Sequence, residues 1–237
     1  MKGLILAAGQ GERLKPLSKI FPKALIPIRN RPLIFYPLIN LKKAGIKEIG
    51  IVIRPQDKKQ FRSTLKIPGL KIKYFFQKRP QGTLKATQVA KDFIGKDTFL
   101  LCWCDFISPF DFKKLIQLHL KFRPLATILI NKKKDPSTTA QVKFSGPYIT
   151  KIVEKPKKRF SFWGLTGALV LEPEIFGVFS KIKPQAKGEY HIPSALDYLI
   201  RKKKPVRFLK INTWRINVNT LADLKEVASK LKKIKNF

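Results

Sequence analysis

Acidic residues and cysteine are scarce in this chain, and a long uninterrupted apolar run is missing. Cys102 and Cys104 are the two cysteines in 237 residues, too few for a disulfide framework. They lie two apart in Leu100-Leu-Cys-Trp-Cys-Asp105, a stretch with strand character, so both point to one face. A bridge between them is geometrically poor, and thiols with no neighbouring His or further Cys make no metal site. Buried, inert thiols are expected. No segment approaches the roughly 18 apolar residues of a membrane span, and no signal-peptide pattern opens the chain. A cytoplasmic protein is expected.

The shortage of acid is the larger anomaly. Fifteen Asp and Glu against fifty Lys and Arg leave a formal charge of +35. Such a surplus attracts nucleic acid and anionic membranes loosely and in a salt-dependent way. The cations are spread along the whole length rather than gathered on one element, so no specific nucleic-acid surface is expected. The abundance of Lys, Ile and Phe is what A/T-rich coding produces. An apolar content of 44% is ordinary for a globular protein. The length suits one large α/β domain or two small ones.

What is present is concentrated at the beginning. Leu4, Ile5 and Leu6 form a short apolar run suited to a strand buried on both faces. Ala7, Ala8 and Gly9 then shrink the side chains, and Gly11 removes another. A strand ending in small residues lets a ligand approach the backbone and leaves amide N–H groups for phosphate oxygens. Arg13 follows, then Lys23 behind a proline. A tight turn alone would account for two glycines; at a strand end with two cations close behind, they describe a polyphosphate cradle. The spacing matches neither the phosphate loop nor the dinucleotide fingerprint.

The run resembles the signature of the nucleotidyltransferases that activate sugar 1-phosphates, roughly L-A-A-G-x-G-x-R-L-x-P-L-S/T-x-x-x-P-K-x-L. Leu6-Ala-Ala-Gly9, Gly11, Arg13-Leu14, Pro16-Leu17-Ser18, Pro22-Lys23 and Leu25 fill it without a gap. The resemblance implies that Leu6, Ala8, Gly9 and Gly11 contact a nucleoside triphosphate. Arg13 and Lys23 would then hold its phosphates at the transfer step.

Further along, Leu33 to Ala44 carries apolar residues at helical spacing and ends at Gly45, a helix stop. Strands at Ile49–Ile53 and Leu70–Phe76, with a short helix at Lys58–Leu65 between them, continue a β-α-β-α-β order. That order predicts an α/β, Rossmann-like fold with a mostly parallel sheet flanked by helices, and ligands beyond the carboxyl ends of its strands. After the third strand come Gln77, Pro80 and Gly82, opening a helix from about Leu84 to Phe93. On the residues alone these are equally a helix-opening turn or a base-reading edge. The family carries Q-x-x-P-x-G here for nucleobase contacts.

Thr98 to Trp103 is a fourth strand ending at Asp105. A lone Asp there is ordinarily a cap; the resemblance expects at this point the acidic residue of a G-D-x motif, with Cys104 replacing glycine. Mg²⁺ held by one or two carboxylates plus substrate phosphates suits phosphoryl transfer. A helix to about Lys121 follows, in which His119 reads as a packed residue, and then a fifth strand at Ala126–Asn131. A small antiparallel pair around Gly146-Pro147 delivers Glu154-Lys155-Pro156. In the family this E-K-P faces the sugar phosphate, Glu on hydroxyls and Lys on phosphate. Leu165-Thr-Gly-Ala-Leu169 resembles the T-G-L-Y segment, where Gly167 would let the sugar lie against backbone, with Leu169 in place of Tyr.

The pattern breaks at Trp214-Arg-Ile-Asn-Val-Asn-Thr220, which resembles the late W-x-D-x-G-T motif. The family's second metal carboxylate falls on Asn217 if Asn219-Thr220 aligns with the G-T, and on Ile216 if Trp214 aligns with the tryptophan. Neither supplies a charge. Asn217 is the candidate second ligand beside Asp105, offering a neutral oxygen, with Arg215 on the same face of the strand. Asp223 reads as serving the following helix.

Taken together, the expectation is a single nucleotidyltransferase domain over 1–221 with a basic helix over 222–237. The implied activity is formation of a nucleotide-sugar and pyrophosphate from a nucleoside triphosphate and a sugar 1-phosphate, with Mg²⁺ as cofactor. One rival is a catalytically weakened nucleotide or nucleotide-sugar binding homologue, following from Asn217. Another is a cytidylyltransferase acting on an alcohol phosphate. The base, the sugar and the oligomeric state, a homo-oligomer included, stay open.

Overall fold

The computed structural model of the chain describes residues 1–133, 135–185 and 188–233. Its strands are β1 Lys2–Leu6, β2 Pro27–Ile28, β3 Arg31–Pro32, β4 Glu48–Ile53, β5 Lys71–Phe76, β6 Phe99–Trp103, β7 Phe106–Ile107, β8 Ala126–Lys132, β9 Gln141–Ser145, β10 Tyr148–Val153, β11 Trp163–Leu171, β12 Val206–Lys210 and β13 Ile216–Asn217. The helices are α1 Leu17–Ile20, α2 Phe35–Lys43, α3 Lys58–Thr64, α4 Gly82–Gln88, α5 Lys91–Ile94, α6 Phe112–Phe122, α7 Ile175–Phe179, α8 Ile192–Arg201 and α9 Leu221–Lys232. Nine strands form one sheet in the order β5-β4-β1-β6-β11-β8-β12-β10-β9.

The half built from the N-terminal strands is parallel, as expected: β5, β4, β1 and β6 run together. The other half is mixed, because β11 pairs antiparallel with both β6 and β8, while β12 is parallel to β8. The antiparallel pair β9–β10 continues this same sheet through β12. Helix was expected without a break from Leu84 to Phe93. It is instead split into α4 and α5, where Thr87 bonds back to the Thr83 carbonyl and the Ala90 N–H reaches only to Thr87.

Alternation along β1 shows why both sheet faces are covered. Leu4 and Leu6 enter one apolar cluster with Leu84, Ile94, Ile175 and Leu196. Ile5 and Ala7 enter another with Leu38, Leu41, Phe61 and Leu115. Cys102 and Cys104 sit in the second cluster, and burial pushes both thiols up, Cys104 to about 12. They are free and inert. A third cluster joins Leu14, Ile26 and Ile107 to Ile216, Val218, Val227 and Leu231. Helix α9 therefore packs onto the domain through Val227 and Leu231, and it draws the N-terminal loop and the 214–220 segment together. The part of this helix expected at Ile234 and Lys235 lies outside the described residues.

His119 is fully buried, bonded through Nδ1 to Thr127 and through Nε2 to Glu172. Burial holds its pKa below the ordinary value, against the pull of Glu172. A depressed folded pKa gives a stability contribution complete above the unfolded value of about 6.5 and lost as pH falls through the folded one. The melting temperature should therefore drop between about pH 7 and 5. The drop should be shallower in His119→Gln; an unchanged slope in that variant would remove His119 as the cause.

Candidate active site

Beyond Leu6 the backbone stays tied to its neighbours for one more step, with Ala7 N–H on the Val52 carbonyl and Cys104 N–H on the Leu6 carbonyl. The chain then leaves the sheet. A Cβ on Gly9 would meet nothing within 4 Å, so this glycine faces open space. Gly11 differs. It adopts φ +69, and a Cβ there would come within 3.0 Å of Lys23 Cβ. The left-handed backbone and the closeness of Lys23 both call for glycine. The loop and the lysine are thus built against each other.

Lys23 then reaches across to the end of β6. Its Nζ donates to Asp105 Oδ2 at 2.5 Å and to Asn219 Oδ1 at 3.0 Å. Both side chains of the ion pair are largely buried, 11% and 13% exposed, so this is not a screened surface contact. Burial pulls the Lys23 pKa down, but Asp105 and Cys104 together outweigh it and the net shift is upward, with Arg13 opposing weakly. The lysine is firmly cationic.

Asp105 is placed by the small ladder of β7 with β13, in which Asn217 pairs with Phe106, and by the Val218 N–H on the Asp105 carbonyl. This ladder resolves the two alignments of the late motif: Asn217 faces the carboxylate. Its Nδ2 donates to Asp105 Oδ1 at 3.2 Å, while its Oδ1 accepts from Arg215 at 2.7 Å. Arg215 has no acceptor to offer, so this amide orientation is dictated by its neighbours. Asp223 closes a capping box with Thr220 at the start of α9.

Asp105, Asn217 and Arg215 stand in one wall of a cleft of about 620 Å³. Arg13, Glu154, Lys155 and Gly167 line it as well. Lys155 takes φ +39, unusual outside glycine, and is held there by the turn after β10. Gly167 has a packing reason of its own, since a Cβ there would lie 2.4 Å from Phe106 Cβ.

Gln77 is not among the residues lining that cleft. Its Nε2 donates to the Gly82 carbonyl at 3.1 Å, and it borders a separate depression of about 410 Å³ with Lys78, Arg79 and Gln81. Gly82, at φ +88, is required by the Tyr190 backbone, whose oxygen would stand 2.4 Å from a Cβ. Pro80 falls in the turn between them. Several lining residues carried no signal in the sequence. Lys133 is one of fifty cations, and Thr138 and His191 sit in unremarkable contexts.

The donor set limits what cation this wall can hold. Among the described residues no group of three or more His, Cys, Asp or Glu is positioned for a metal ion. Asp105 offers carboxylate oxygen, which together with phosphate oxygens suits Mg²⁺. Asn217 does not fit as second ligand. Its amide nitrogen faces Asp105, and turning it would set NH₂ against the Arg215 guanidinium. As oriented here, Asn217 turns no oxygen toward a cation beside Asp105.

The nucleotidyl transferase family model matches residues 2–233. A low-salt glycan biosynthesis nucleotidyltransferase of Haloferax volcanii is 31% identical over 205 residues, 84% of this chain and 57% of that protein. The glucose-1-phosphate thymidylyltransferase of Streptomyces griseus is 29% identical, covering 96% of this chain and 65% of its own length. This chain thus spans under two thirds of both relatives. It spans more of the glucose-1-phosphate thymidylyltransferase of Neisseria meningitidis, at 31% identity over 100% of this chain and 84% of that one. Among solved structures, one from Bacillus anthracis, assigned as a glucose-1-phosphate thymidylyltransferase and bound to sucrose, superposes with a TM-score of 0.91. Its identity is 26%, covering 100% of this chain and 97% of that one. From the glycine loop to α9, the chain belongs to the nucleotidyl transferase family.

Proposed function

We propose that the protein joins a nucleoside triphosphate to a sugar 1-phosphate, giving a nucleotide-sugar and releasing pyrophosphate. The observation that carries this is the Lys23–Asp105 pair. It closes the glycine loop onto a cleft that Glu154 and Lys155 also line. Family membership and the names of the relatives support the same reading.

A phosphate oxygen of the acceptor attacks the α-phosphorus in line and displaces pyrophosphate, so positioning and charge neutralisation carry the catalysis. Leu6, Ala8, Gly9 and Gly11 border the triphosphate, and Arg13 and Lys23 hold its oxygens. Lys23 is already charged and fixed, so it reorganises little when phosphate replaces part of its bond to Asp105. Gln77, Pro80 and Gly82 contribute the base edge, Gln77 by releasing the Gly82 carbonyl. Glu154 accepts from sugar hydroxyls, Lys155 meets the phosphate, and Gly167 keeps the wall open. Mg²⁺, when bound by Asp105 and phosphate oxygens, supplies further neutralisation of the triphosphate. No described helix is long and apolar enough to cross a membrane.

A second reading, a nucleotide-sugar binding homologue with little turnover, is favoured by one observation, the amide at Asn217 where the family has acid. Pyrophosphate release from each triphosphate with a panel of sugar 1-phosphates and Mg²⁺ decides between them. Release from one pair supports the enzyme; tight nucleotide binding with no release from any pair supports the second reading. In Asn217→Asp the concentration of Mg²⁺ giving half the maximal rate should fall on the order of tenfold. An unchanged requirement would show that position 217 is not beside the ion.

A further inference from the structure

Beyond the Arg13–Lys23 cradle, two cations lining the cleft, Lys133 and Arg215, form no ion pair with an acid among the described residues. Lys133 directly follows β8, its backbone fixed by the bond from its N–H to the Phe162 carbonyl. Its ammonium makes no hydrogen bond or ion pair with any described residue. Two acids lie near enough to act on it, and both are engaged elsewhere. Asp135 accepts from the backbone and hydroxyl of Ser137, and Glu154 pairs with Lys155 at 3.7 Å. Arg215 gives one bond, to the neutral Asn217, and its Nε is buried without a partner.

Lys133 and Arg215 line the same cleft, and the Arg215 charge acts on Lys133. Burial, then the Arg215 charge, pulls the Lys133 pKa down to about 8, against Asp135 and Glu154. Arg215 is itself lowered by burial despite Asp105. Two mutually repelling, desolvated cations are stabilised by an anion placed between them, and a neutral hydroxyl cannot do this. Their place in the wall matters too. Through Asn217, Arg215 is joined to Asp105, while Lys133 feels Glu154.

We propose that Lys133 and Arg215 form an anion subsite, separate from the Arg13–Lys23 cradle, that binds the phosphoryl group of the acceptor. It supplies there the positive charge that a metal held by a second carboxylate would otherwise bring. The proposal rests on the reading of the cleft as a phosphoryl-transfer site. The guanidinium offers a planar donor set and the ammonium a point charge, a combination suited to phosphate oxygens.

Calorimetric titration with inorganic phosphate, glucose 1-phosphate and glucuronic acid 1-phosphate tests it on the wild type, Lys133→Gln, Arg215→Gln and the double variant. Each single change should weaken phosphate and glucose 1-phosphate at least about tenfold, one charge-assisted contact being lost. The affinity for nucleoside triphosphate should stay within about twofold, and Lys133→Arg should recover most of the loss. In steady state the acceptor KM should rise more than kcat falls. Unchanged binding of both phosphates in the double variant overturns the subsite. Weakened triphosphate binding instead assigns the cations to the donor, and an effect confined to the glucuronic acid derivative assigns them to a ring carboxylate; either result overturns the proposal. Melting curves verify folding, and the conservative pair Lys133→Arg and Arg215→Lys serves if the Gln variants fail to fold. Absence of pyrophosphate release by the wild type sinks the enzyme reading but leaves the binding comparison to decide the subsite.

Discussion

Lys23→Met should lower pyrophosphate release by about 10²- to 10³-fold, the usual effect of removing one fixed charge donor from developing negative charge. It should also cost stability. Asp105 is left with its carboxylate mostly buried and without the ammonium at 2.5 Å, and breaking one side of such a pair costs about 3 kcal/mol. Urea unfolding reads the second effect independently of the first. The double variant Lys23→Met with Asp105→Asn separates them further. A neutral amide no longer needs the lysine, so most of the stability should return while activity stays lost. If Lys23→Met kept activity within tenfold of wild type, the lysine would be a structural partner of Asp105 only.

Gly167→Ala should be a damaging change for the addition of a single methyl near the site. The added carbon would lie 2.4 Å from Phe106 Cβ and 2.6 Å from Cγ, and Phe106 is fully buried. Relief requires moving β7, whose ladder with β13 sets Asp105 opposite Asn217. Overpacking of this kind costs about 3 kcal/mol, visible as a lower urea midpoint, and should weaken substrate binding with it. Gly9→Ala is the contrast. With nothing within 4 Å of its Cβ, stability should change by less than about 0.5 kcal/mol, while triphosphate affinity falls. The two glycines look alike in a motif and are kept open by different neighbours, one by protein and one by space for a ligand. Equal stability losses in both variants would contradict this division.

Much of the site was legible because its parts are local. The small residues after Leu6, the cations Arg13 and Lys23 and the acid at a strand end are recognisable from neighbours in sequence. What escaped depends on pairing between distant segments. Two alignments of the 214–220 stretch were equally good on residue types, and only the β7–β13 register put Asn217 opposite Asp105. Amide orientation was equally hidden, since it depends on Arg215 closing on the oxygen. Lys133 had no signal because a chain with fifty cations makes any one lysine look like background. The mixed half of the sheet escaped too, since an apolar run shows that a strand is buried but not which way its neighbour runs.

By itself the sequence determined the buried strand at the N-terminus, the glycine loop behind it and the charge of the residues proposed to meet phosphate. These depend on side-chain size, backbone freedom and periodicity over a few residues. Only the tertiary structure decided that Lys23 closes on Asp105, that Gly11 is small for Lys23 and Gly167 for Phe106, and that Lys133 and Arg215 line one cleft with neither ion-paired to an acid among the described residues. The reason is that charge and space are felt over a few ångströms in three dimensions, while these partners stand up to 82 residues apart along the chain.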